Sequence, residues 1–301
     1  MSSYDHLCGY KPDQRAKEEF LASQPAQYFA CAQGSGKGKR ALLWQYYRQL
    51  DKNAFDEVQT GPDCTSHGTR NAIDAARAAG ILSGRRLADW RKRTATEPIY
   101  GARGDSGGGM SPARASRFVR DVGFLSRDNH GVVDLSRYNF SIGDRWGARG
   151  VPAEVQALCK NQNVGTITLA RSMEDVMDAL YNGYGVHSGQ QAGWEASPSG
   201  MVHRRSRKNW NHDMHIAGYD DTKEFWSVPV LFIQNSWGDW NSPVSDWPAS
   251  LPPPPPGMIV STMEDAAVCV EADDCWVFSD VDGYPPTALP DAGTIGLLQK
   301  E

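Results

Sequence analysis

The sequence predicts an α+β fold, with a helical half over about residues 58–160 and an antiparallel sheet half over about 161–301. Two observations carry this expectation. Helix start and stop signals cluster early in the chain, and β-rich runs cluster late. A third supports it: of 301 residues 40% are hydrophobic and 22% charged, enough apolar material for a real core and too little charge for wholesale disorder.

The elements follow in order. Residues 1–57 are polar and mixed and read as an N-terminal extension, with one helical stretch at 39–50 (KRALLWQYYRQL). From Cys64 to Ala79 the run CTSHGTRNAIDAARAA permits a helix, and Gly80 stands where a C-terminal cap belongs. Ser111-Pro112 opens a second helix that stops at Gly123, with serine as N-cap and proline in the first turn. Helices are also expected over 151–162 and 173–183, the latter with Ser172 and Asp175 as a capping box. Strands are expected at 164–170, 184–188, 214–219, 230–235 and 275–280.

Three segments need separate readings. GSGKGKR (34–40) is not a phosphate loop, because Arg40 stands where a magnesium-binding Ser or Thr should be, so it reads as a flexible basic loop. The run 242–257, with five consecutive prolines, reads as a stiff surface loop between two strands. HRRSRKNW (203–210) reads as a solvated loop just ahead of His212.

A net charge of −5 offers no electrostatic case for nucleic acid or an anionic membrane, and no apolar run is long enough to span one. Met1 to Tyr10 lacks the apolar core of a signal peptide, so the expected location is cytoplasmic or particle-associated. The six cysteines lie at long, irregular intervals without zinc-type spacing, so no metal or other cofactor is expected. Buried free thiols are the default reading. Cys64 is the exception.

Cys64 follows the turn Gly61-Pro62-Asp63 and opens a helix, where the macrodipole and free backbone N–H groups favour a thiolate; Asp63 opposes this if it faces the sulfur. His212 enters an apolar strand that ends in Gly-Tyr, and a later strand delivers Asn235-Ser-Trp-Gly. In this order the three segments resemble the active-site segments of papain-like (C1-type) cysteine peptidases. The separations, 212 − 64 = 148 and 235 − 212 = 23, fit that family. The closer likeness is to divergent papain-like proteins of bacteriophages and bacteria.

The resemblance implies a helical half and a barrel-like sheet half, with the site in the cleft between them and 58–301 as the catalytic domain. It assigns Gln59 to the oxyanion hole and Gly107, Gly108 and Gly109 to a strip that pairs with substrate backbone. Chemically, His212 can take the Cys64 proton, Asn235 can hold the other imidazole nitrogen without adding charge, and Trp237 can shield that bond. His215 is the alternative base, and His67, one turn after Cys64, reads as structural.

The implied activity is hydrolysis of peptide bonds through an acyl-enzyme, and the implied partner is a polypeptide substrate. Virion or homo-oligomer association is a further option. The alternatives are a phage structural protein built on this fold, or a Cys–His acyltransferase or cell-wall amidase. The 63 residues ahead of Cys64 are too few for the family's usual inhibitory pro-segment plus its mature N-terminus, so activation by removing one is not expected.

Overall fold

The helix that begins at Cys64 is buried along its whole run to Gly80, and alanine makes that possible. Five alanines between positions 72 and 79 keep its girth small, so neighbours close in from every side. Ala75, Ala78 and Ala79 belong to a core shared with the sheet, while Ala72 and Ile73 belong to a second core shared with the other helices.

A computed structural model describes residues 4–24, 31–87, 89–90, 92–196, 203–240 and 247–290. The helices are α1 (Gln14–Ala22), α2 (Trp44–Leu50), α3 (Cys64–Leu82), α4 (Thr96–Gly101), α5 (Pro112–Asp121), α6 (Phe140–Arg149), α7 (Ala153–Cys159), α8 (Met173–Tyr181), α9 (Met263–Ala266) and α10 (Val268–Glu271). The strands are β1 (Arg40–Leu42), β2 (Ile167–Leu169), β3 (Gly185–Ala196), β4 (His203–Asp220), β5 (Val230–Gln234), β6 (Met258–Thr262) and β7 (Cys275–Phe278).

One sheet holds all seven strands in the order β2-β7-β3-β4-β5-β6, with β1 added on β4. Its pairings are antiparallel except for a single parallel contact, His203 with Ser261. The expected barrel-like half is therefore corrected to an open sheet. At its ends β2 pairs with β7, while β6 pairs with β5 and also touches the start of β4 at His203.

Several local expectations change for physical reasons. Gly80 is not a cap: α3 continues to Leu82, and glycine is needed because a Cβ there would overlap the Asp280 carboxylate. The single helix expected over 39–50 divides into β1 and α2, because Arg40–Leu42 find backbone partners along β4. The basic run 203–210 is strand rather than loop. It forms the exposed first half of β4, paired with the end of β3, where Glu195 meets Arg204 at 3.2 Å.

Some other readings stand as made. The Ser172–Asp175 capping box is present. The prolines at 252–256 lie between β5 and β6 and pack on α2, where the Pro253 carbonyl accepts Trp44 Nε1 at 3.1 Å; residues 242–246 of that loop lie outside the described residues. The 34–40 segment, expected as a flexible loop, is instead anchored: Gly34 and Gly36 donate N–H groups to the Asp178 carboxylate of α8 at 2.8 and 2.7 Å, and Gly38 to Asp221 at 2.7 Å.

Candidate active site

Cys64 is the first residue of α3 and fully buried. Asp63 makes no capping bond; its carboxylate instead accepts the Tyr138 hydroxyl at 3.0 and 3.1 Å. The charge that bears on the sulfur is that of Asp213, and the backbone N–H groups of Asp213 and Gly9 lie near enough to favour a thiolate. Burial first, then the Asp213 carboxylate, push the thiol above its usual range despite those two donors.

His212 precedes Asp213 on β4. Its Nε2 donates to Asn235 Oδ1 at 2.8 Å, which leaves Nδ1 as the bare, basic nitrogen. That Nδ1 is buried and has no hydrogen-bond partner among the described residues, so the Cys64–His212 hydrogen bond is not made in this form. Burial lowers the His212 pKa to about 4, and the imidazole is neutral at pH 7. Trp237 lies over it at 4.5 Å between centroids, tilted by 31°.

Gln59 is locked to the Asn235 segment through Ser236. Its backbone N–H donates to the Ser236 carbonyl at 2.8 Å, and its side-chain oxygen accepts the Ser236 hydroxyl at 2.6 Å. This aims the Gln59 amide nitrogen across the cleft, where it meets the Gly61 and Leu7 carbonyls at 2.6 Å each. Cys64, His212, Asn235, Gln59 and Trp237 are thus brought together where α3 meets β4 and the end of β5.

Leu7 is part of what fills the cleft. Tyr4 stacks on Trp237 at 5.1 Å and 4°, and the Leu7 carbonyl sits on Gln59. Beyond the Gly9 N–H near the Cys64 sulfur, the Gly9 carbonyl accepts Met110 N–H at 2.7 Å. Tyr10 N–H donates to the Asn211 carbonyl at 2.9 Å, and Lys11 N–H to the Met110 carbonyl at 3.1 Å. Residues 4–11 therefore lie as a peptide across the whole site. Position 9 must be glycine, since any Cβ there would overlap the Pro62 carbonyl.

Of the expected glycine strip, Gly109 lies against the Gly9 carbonyl with φ +87°, and Gly108 lies against Pro62. Gly107 is exposed and bonds back to Asp105 at 2.8 Å. The residue that pairs with the peptide is the next one, Met110: the strip sits at the cleft, and its pairing edge is displaced toward α5.

The other histidines are committed elsewhere. His215 Nδ1 bonds the Val186 carbonyl at 2.7 Å, and burial lowers its pKa to about 3. His67 faces Asp63 at 3.5 Å and packs edge-on against Tyr138. Reading the sequence misses a buried pair on neighbouring strands, His187 Nδ1 and Asp213 Oδ1 at 2.8 Å, and it misses the peptide of residues 4–11. A signal for the latter exists in retrospect: Gly9 precedes an aromatic residue in an otherwise polar segment.

No protein-family model and no curated protein matches the sequence. Solved structures do match in three dimensions. A cysteine protease of Xylella fastidiosa, xylellain, superposes with TM-score 0.53 at 13% identity over 92% of this chain and 97% of its own. Procathepsin L 3 from the larval midgut of Tenebrio molitor gives 0.50 at 13% over 90% and 83%. A structure from work on the mite allergens Blo t 1 and Der p 1 gives 0.50 at 12% over 92% and 82%. The fold is papain-like. At these identities the likeness establishes the architecture, and the chemistry of a papain-like site rests on the side chains described above.

Proposed function

We propose that this chain is a cysteine peptidase in which Cys64 attacks the scissile carbonyl, His212 Nδ1 takes and returns the proton, and Asn235 orients the imidazole. Gln59 Nε2 and the Cys64 backbone N–H stabilise the oxyanion; losing one such donor costs about 3 kcal/mol of transition-state stabilisation. Trp237 keeps water from the His212–Asn235 bond. The observation that carries this reading is residues 4–11 themselves, held across Cys64, Gln59, Asn211 and Met110 by main-chain hydrogen bonds as a polypeptide substrate would be.

Direction explains why this peptide is not a substrate. His212 must protonate the leaving amine, so the amine side of a cleaved bond lies toward His212 and Trp237, and a substrate runs from Met110 to Trp237. Residues 4–11 run the opposite way. The amide nitrogen that follows the Leu7 carbonyl therefore lies on the Met110 side, out of reach of the proton. The described form is self-covered: thiol protonated, imidazole neutral, no ion pair.

Two measurements test this. Cys64→Ala should remove hydrolysis of any peptide substrate by at least about a thousandfold while the fold survives, and equal activity would end the reading. Alkylation of Cys64 by iodoacetamide at pH 6 should be slow in the full chain and roughly tenfold or more faster after Tyr10→Ala, as uncovering lowers the thiol pKa.

A further inference from the structure

Tyr10 is the residue of the covering peptide whose side chain lodges between Gly189 and Asp274. Its ring occupies space that exists only because position 189 is glycine; a Cβ there would collide with the ring and come within 2.9 Å of Pro112 Cγ. At the end of this slot the Tyr10 hydroxyl donates to Asp274 Oδ2 at 3.0 Å. The other carboxylate oxygen, Oδ1, accepts Trp276 Nε1 at 2.7 Å. Tyr10 and Asp274 are 6% and 4% exposed. The nearby cation, Lys17, is engaged with Asp273 at 2.8 Å, and among the described residues no cation forms a salt bridge with Asp274.

The chemistry of the slot follows from these contacts. Its walls are a bare backbone at Gly189 and a proline ring, which suit a flat side chain. Its floor is a carboxylate with one oxygen fixed by an indole and the other satisfied only by what enters. Burial raises the Asp274 pKa to about 6, so an empty or apolar-filled slot leaves a poorly solvated acid behind. Lateral position follows too. The Gly9 N–H is near the nucleophile and Tyr10 is the next residue toward Met110, so a substrate running the other way offers this slot one of the two residues before its scissile bond.

We propose that Gly189, Pro112 and Asp274 form the selective subsite of the enzyme and that its substrates are peptides with tyrosine in that position, which the covering Tyr10 imitates. This rests on the peptidase reading above and adds the substrate class to it. Phenylalanine fits the walls and leaves Asp274 Oδ2 unpaired; leucine fails both the walls and the floor. A site built around a hydroxyl discriminates strongly against its deoxy analogue.

The test uses the full chain carrying Tyr10→Ala, assayed on peptides that differ only in the two residues before the cleaved bond. Tyrosine at one of them should exceed phenylalanine by roughly tenfold or more in kcat/KM, and leucine by more. Asp274→Leu in the same background should abolish the tyrosine-over-phenylalanine advantage. If that variant does not fold, Gly189→Ala should remove the advantage of aromatic residues over alanine. Phenylalanine, leucine or arginine equal to tyrosine, or a tyrosine preference that survives Asp274→Leu, overturns the proposal.

Should no peptide be cleaved and Cys64 alkylate like an ordinary thiol, the peptidase reading itself falls. The slot is still decided by calorimetry with a synthetic peptide of residues 4–13, bound to the chain carrying Cys64→Ala and Tyr10→Ala. Equal affinity for that peptide and its Tyr10→Phe version overturns the subsite, and several-fold tighter binding of tyrosine upholds it.

Discussion

Two buried histidines of the sheet are each fixed by one oxygen at 2.8 Å, and only one of them suits the proposed role of base. His212 on β4 donates Nε2–H to the neutral amide of Asn235, and its Nδ1 is left bare. His187 on β3 meets the Asp213 carboxylate through Nδ1, beneath α3 at Gly68, where a Cβ would strike that carboxylate. The difference lies in the partner. A buried carboxyl group that holds one imidazole nitrogen while lying against α3 suits a brace between strands and helix. A neutral amide fixes orientation and leaves the proton affinity of the other nitrogen free for the thiol.

Breaking each pair in turn sharpens that contrast. His212→Ala should cost at least about a thousandfold in hydrolysis in a chain opened by Tyr10→Ala, with little change in melting temperature; kcat/KM and thermal scans report the two effects. His187→Ala should do the reverse. It leaves the buried Asp213 carboxyl without its hydrogen-bond partner, a loss of about 1–3 kcal/mol of stability read by urea unfolding, while the fraction that stays folded still alkylates at Cys64. Asn235→Ala should fall between, losing roughly ten- to a hundredfold in kcat because it positions the base without transferring a proton.

The smallest expected effect is one of pH. Burial raises the Asp213 pKa above its ordinary value, so its neutral form is the one the fold favours. Stability from that source is complete below the ordinary carboxyl range, near ~4, and is lost as pH rises through the raised value. Asp213→Asn should therefore flatten the decline in melting temperature as pH rises above the ordinary carboxyl range. An unchanged slope in that range would assign the decline to other groups.

What could be read from the sequence divides along similar lines. The Cys64, His212 and Asn235 segments were legible because the proposed chemistry demands particular side chains, and those side chains sit in local patterns such as Asn-Ser-Trp-Gly. The helices were legible where start signals exist, as at Ser111-Pro112 and Ser172. The first half of β4 was not, because an exposed arm rich in arginine has no alternation of apolar and polar residues to announce a strand. β6 was hidden behind the prolines that deliver it. The His187–Asp213 pair joins residues 26 apart on neighbouring strands, a contact set by register alone. The covering peptide was the least legible part, since it is held by backbone groups that every sequence possesses.

That peptide is joined to its site by very little chain. Lys11 still pairs with Met110, and only Pro12 intervenes before Asp13, whose carboxylate accepts Ala16 N–H at 2.9 Å and caps α1. Closure is therefore an intramolecular event, and diluting the protein cannot reverse it. A ligand on so short a leash competes as though present at millimolar concentration or above. Micromolar peptides offered to the intact chain meet a site that is already taken, however little protein is used.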